Sequence, residues 1–163
     1  MKYLIILAAS AAALTLTGCN KEKTPDSPTP AADAATAVAS PARSRGEAFA
    51  DMAAASDMFE TESSRLAASK AASSDVKQFA EQMIKAQSES TAKLATAAAA
   101  ATPAITPLGD MTDMQRQTLS DLAGKSGADF DTAYARAQVD AHQATLDALK
   151  AYSVNGDVAS LKT

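Results

Sequence analysis

From Gly46 onward, apolar side chains return every three or four positions and never in strict alternation. Phe49, Met52, Ser56, Phe59, Ser63 and Leu66 fall on one face of a helix running from Gly46 to about Ala72. Ser73-Ser74-Asp75 then offers hydroxyls for a cap and an acid for the dipole of the next helix. That second helix is expected over Ser74 to Ala101, with Val76, Phe79, Ala80, Met83, Gln87, Ser90, Leu94 and Ala98 inward. Lys77–Glu81, Glu81–Lys85 and Glu89–Lys93 stand four apart on its outer side. Pro103 and Pro107 end it, because proline disfavours helix in the residue before it. A shorter helix fits Thr112 to Ala123, with Thr112 as cap and Leu119 and Leu122 inward. Gly124 and Gly127 bracket a turn, and a long helix follows over Ala128 to Ser153. Its inward candidates are Phe130, Tyr134, Ala137 or Gln138, Ala141 or His142, Leu146 and Leu149. Asn155-Gly156 stops it, and Asp157 begins a further helix that is cut off at Thr163.

Short connections between such helices imply antiparallel neighbours and an all-α fold. With no tryptophan, the core must rest on alanine packing and a few Phe, Met and Leu anchors. The chain ahead of Gly46 is of another kind. Leu4 to Leu16 is apolar apart from Ser10 and Thr15, follows Lys2, and is too short for the roughly 20 residues of a bilayer span. It reads as a signal peptide over residues 1–18. Leu16-Thr17-Gly18-Cys19 resembles a lipobox, which makes Cys19 the lipidation site and the membrane the chain's first partner. Cys19 is the single cysteine, so no disulfide is expected. Asn20, where inner-membrane lipoproteins commonly carry Asp, favours an outer-membrane anchor facing the periplasm. Residues 19–45, with Pro25, Pro28, Pro30 and Pro41, read as a disordered linker reaching about 30 Å. Loss of Lys2 on cleavage would turn a formal charge of −4 into −5, a poor match for nucleic acid.

Within residues 46–163, one set of positions has a recognisable order and spacing. It comprises Phe49, Phe59-Glu60, Leu66-Ala67, Lys70-Ala71, Val76-Lys77-Gln78-Phe79-Ala80, Met83 and Leu94. It continues with Ser126-Gly127, Phe130-Asp131, Tyr134, Gln138 and His142. The pattern resembles domain of unknown function 4142, a family of bacterial envelope proteins. The resemblance implies a ferritin-like antiparallel four-helix bundle and implies no activity. Two departures stand out. Ala86-Gln87 occupies the place of the family's Asp-His pair, and the chain reaches Thr163 without most of the final helix. A groove left there would take a second copy or an envelope protein.

A ferritin-like bundle invites a di-iron site, which needs two inward Glu and two Glu-x-x-His pairs. His142 is the lone histidine and Val139 stands three before it, so the ligand count fails and no metal site is expected. His142 fits better in a hydrogen-bonded polar core cluster with Gln87 and Gln138 that fixes helix register. Met111 and Met114 could offer thioethers to copper(I), yet methionine commonly fills gaps in helical cores. No Gly-x-Ser-x-Gly elbow or phosphate loop is present, so neither catalytic residues nor a cofactor are expected. The sequence reading is a lipid-anchored, non-enzymatic binding or structural module. Its alternative is a metal-handling or redox protein on the same scaffold. Cys19→Ser should abolish incorporation of a radiolabelled palmitate and move the protein out of the membrane fraction. Undiminished labelling would contradict the lipobox.

Overall fold

Ser44 starts the helical domain with a reciprocal capping box, its hydroxyl accepting from the Glu47 N–H while the Glu47 carboxylate accepts from the Ser44 N–H. The computed structural model describes residues 42–162, so Cys19 and the signal and linker assignments before Ala42 lie outside the described residues. Four α-helices follow: α1 (Arg45–Lys70), α2 (Ser74–Ala99), α3 (Asp113–Ala123) and α4 (Gly127–Asn155), with a 3-10 turn at Ala159–Leu161. The described residues contain no strand; a single isolated parallel bridge joins Ala71 to Gly127. The fold is an all-α helical bundle. Among the described residues no helix is long and apolar enough to cross a membrane.

The side-chain register fixes the topology. On α1, Asp57 and Glu60 meet Thr91 and Gln87, so α2 runs antiparallel to α1. Ser56, Glu60, Ser63 and Ser64 meet Thr145, His142, Gln138 and Tyr134 in descending order, so α4 is antiparallel too. Helix α1 therefore sits centrally, with α2 on one flank and α3 and α4 on the other. The third place in the bundle is only half helical. Residues 100–112 carry the chain back alongside α1, where the Leu108 N–H donates to Asp51, and α3 completes the return.

The apolar core is split between the two ends of α1. One end joins Phe59, Ala67, Ala80, Leu122, Phe130 and Tyr134, with the Phe130 and Tyr134 rings stacked at 5.7 Å. The other joins Phe49, Ala50, Ala98, Ile105, Tyr152 and Leu161, where Phe49 and Tyr152 stack at 4.0 Å. Alanine at the contacts lets the backbones approach closely. Gly46 belongs to the same economy, since a Cβ there would lie 2.5 Å from the Val158 side chain.

The structure changes several sequence expectations. Phe79 is 43 % exposed and touches Tyr134 only edge-on. Leu146 and Leu149 point outward; the buried face of α4 continues from Tyr134 and Gln138 through Thr145 and Ala148 to Tyr152, which the helical period places one position away from both leucines. Among the described residues the three charge pairs expected on α2 do not close to ion-pair distance. The helix expected from Asp157 is a 3-10 turn that buries Leu161, while the Ser160 hydroxyl donates to the Ala97 carbonyl.

Asp131 ties the turn between α1 and α2 to α4. Its two carboxylate oxygens accept from the N–H groups of Ala72 and Ser73, at 3.1 and 2.9 Å, next to the cap of α2. Gly127 reaches this turn with φ of +64°, and a Cβ there would have ample space, so the backbone angle and not crowding calls for glycine. Asp131→Ala should cost about 2 kcal/mol in chemical denaturation, because two charge-assisted bonds are lost together. A loss below about 0.5 kcal/mol would mean that water replaces the carboxylate there at no cost.

Candidate functional site

Between the two apolar clusters lies a polar belt whose centre is Glu60. Its side chain is 3 % exposed, yet α1 itself delivers it to the interior because Ser56, Glu60 and Ser63 share a face. One carboxylate oxygen accepts from the Ser56 hydroxyl at 3.1 Å, and the other accepts from the Gln87 amide of α2. Nε2 of His142 on α4 stands 3.5 Å from the same oxygen as Gln87. The Thr145 hydroxyl is 2.7 Å from that of Ser56, and with Ser56 donating to Glu60 it is Thr145 that donates to Ser56. One carboxylate is thereby coupled to both flanking helices.

The belt extends along α1 on either side. Asp57 accepts from the Thr91 hydroxyl at 2.9 Å. Ser63 accepts from the Gln138 amide at 2.9 Å and donates to the Glu60 carbonyl. Ser64 shares a 2.7 Å hydrogen bond with the Tyr134 hydroxyl. Burial raises the pKa of Glu60, and this outweighs the opposing pull of His142 and of the Ser56 and Gln87 donors, while neighbouring Asp57 adds to the rise. Asp57 is likewise raised by burial, against the Thr91 and Ser90 hydrogen bonds. Burial also raises the Tyr134 phenol.

Of the expected cluster of Gln87, Gln138 and His142, all three residues reach the belt, but they do not bond to one another through their side chains. Gln87 and Gln138 each bind a different residue of α1, Glu60 and Ser63. His142 has a half-exposed ring, with Nδ1 at 2.9 Å from the Gln138 carbonyl and Nε2 toward Glu60. The hub, Glu60, enters the sequence reading only within the family pattern and with no role, because its partners Gln87 and His142 lie on two other helices. The hint was present, since Glu60 lies one turn after Ser56 and three before Ser63 on the same stripe. The spacing of Phe130, Asp131, Tyr134, Gln138 and His142 now has a physical reading: it is the face of α4 that meets α1 and the α1–α2 turn. The departure at Ala86-Gln87 falls on the hub itself, with Gln87 bonded to Glu60.

On the other side of Ser56 and Thr145 opens a cleft of about 520 Å³ between α1, α3 and α4. Met52, Ala55, Phe59, Ala137 and Ala141 give it an apolar lining, and Asp51, Asp110 and Asp140 also border it. Met114 lies at this cleft and is 79 % exposed, whereas Met111 packs against the core, so the two thioethers have separate settings. Among the described residues no group of three or more His, Cys, Asp and Glu is placed to hold a metal ion.

The family model described as Domain of unknown function (DUF4142) matches residues 28–163, reaching back into the proline-rich stretch. No curated protein and no solved structure matches the chain.

The raised pKa values set the sign of a pH effect. A folded state that binds the Glu60 proton more tightly than the unfolded chain gains stability below the ordinary carboxylate pKa. That gain is lost as pH rises through the raised value, and Asp57 acts in the same direction. Glu60→Gln should therefore melt above the parent protein at neutral pH, and the difference should close in acid. A lower melting temperature at neutral pH, converging in acid, would instead show the ionised Glu60–His142 pair to be stabilising.

Proposed function

The chain belongs to the DUF4142 family, and we propose that it is a lipid-anchored, non-enzymatic binding module of the cell envelope, taking its ligand in the cleft between α1, α3 and α4. The observation that carries this reading is the cleft itself. A volume of about 520 Å³ with apolar walls and a few polar groups is the usual make-up of a small-molecule site. The anchoring half rests on Leu16-Thr17-Gly18-Cys19, and Asn20 favours the outer membrane.

Binding is favoured over catalysis by the chemistry of the lining. Ser56 is the one hydroxyl there set against a buried carboxylate, Glu60. Both Ser56 and Thr145 lie in mid-helix, where neighbouring backbone N–H groups are spent on helix bonds. Such a position offers no donors for a developing oxyanion. The Ser56–Thr145–Glu60 chain serves better as a rigid floor, holding α1 and α4 at the spacing that keeps the cleft open.

Filling the cleft tests the proposal. In a Cys19→Ser background, which keeps acyl chains from competing, the neutral fluorophore N-phenyl-1-naphthylamine should bind saturably with Kd of about 100 μM or tighter. Ala144→Trp places an indole in the cleft from an exposed position and should weaken this binding by at least about tenfold, with the melting temperature unchanged. Equal binding by the filled variant would sink the proposal.

A further inference from the structure

The polar groups around the cleft discriminate between classes of ligand. Resting on the cleft as the binding site, we infer that its occupant is a cationic amphiphile: an apolar alkyl or arylalkyl body carrying an ammonium head. The body is set by Met52, Phe59 and the alanines of α4, which give contact area and no directional bonds. Met114 extends that surface to solvent as a flexible apolar side chain, suited to bodies of differing shape.

The head is set by charge. Three carboxylates and no Lys, Arg or His line the cleft. Asp51 is already engaged, by Arg43 at 2.7 Å and by the Leu108 N–H. Asp110, from the segment before α3, and Asp140, from α4, form no ion pair among the described residues, and Arg136 one turn before Asp140 does not close on it. The hydroxyl protons add to this bias. Ser56 donates to Glu60, Thr118 donates to the Met114 carbonyl, and Thr145 donates to Ser56. Of the polar side chains along the wall, only the Thr112 hydroxyl and the Gln115 amide keep protons to offer. The wall thus presents lone pairs and negative charge, which an ammonium N–H satisfies and a carboxylate or phosphate does not.

Three eight-carbon ligands with different heads isolate the inference. Octylammonium, 1-octanol and octanoate are each titrated against N-phenyl-1-naphthylamine bound to the full chain in the Cys19→Ser background. Octylammonium should displace the fluorophore at a concentration about tenfold below that needed for octanoate, with octanol between them, and the gap should narrow in high salt. In the double variant Asp110→Asn, Asp140→Asn the advantage of octylammonium over octanol should fall to about one. Octanol equal to octylammonium in the parent, or an advantage untouched by the double variant, overturns the cationic assignment and leaves the cleft standing. Failure of all three to displace the fluorophore, or equal displacement from Ala144→Trp, overturns the cleft as well.

Discussion

A carboxylate buried halfway along the central helix is the constraint that the rest of the structure obeys. Glu60 is buried and must find donors where it lies, because an unsatisfied buried charge would cost more than most single interactions return. The donors come from its own helix through Ser56 and from α2 through Gln87, with His142 of α4 facing the same oxygen. Each of these helices is thereby fixed in rotation and in height relative to α1. A slide of α2 by one turn would set Met83 or Thr91 opposite the carboxylate in place of Gln87. The hydroxyls of Ser63, Ser64 and Thr91 extend that register along the belt.

The belt also decides where the apolar residues go. Polar positions occupy the middle of α1, so the aromatic side chains gather at its two ends, with Phe130 and Tyr134 stacked at one and Phe49 and Tyr152 at the other. The third place in the bundle has a short helix preceded by irregular chain, and the cleft lies beside that short helix. Ser56 and Thr145 serve both regions, closing the belt toward Glu60 and flooring the cleft.

Local signals in the sequence carried the helices and most of their ends. Thr112 caps α3 together with Gln115, and Ser73 caps α2, as hydroxyls before periodic segments should. Phe130 and Tyr134 could be placed inward because they share a helical stripe, which left Ala137 and Gln138 as alternatives where the structure buries both. Beyond His142 hydrophobicity and position part: Leu146 and Leu149 are the more apolar residues, yet the inward face runs on through Thr145 and Ala148 to Tyr152. The non-local contacts were the least legible. Nothing near Asp131 in sequence announces that it caps a turn almost sixty residues away, and the helix dipole already accounted for an acid there. Glu60 was hidden for a similar reason, since its partners lie on two other helices. The cleft could not be read at all, because it depends on how short α3 is and on the path of the loop before it.

The protonation of Glu60 tests the account most directly. In protein carrying ¹³C-labelled glutamate, the Glu60 carboxyl resonance, assigned by its absence from Glu60→Gln, can be followed against pH. Burial within the belt predicts a midpoint above the roughly 4.3 of an unperturbed glutamate. A Glu60 that titrates at or below the unperturbed value would contradict the buried carboxylate as the centre of the fold.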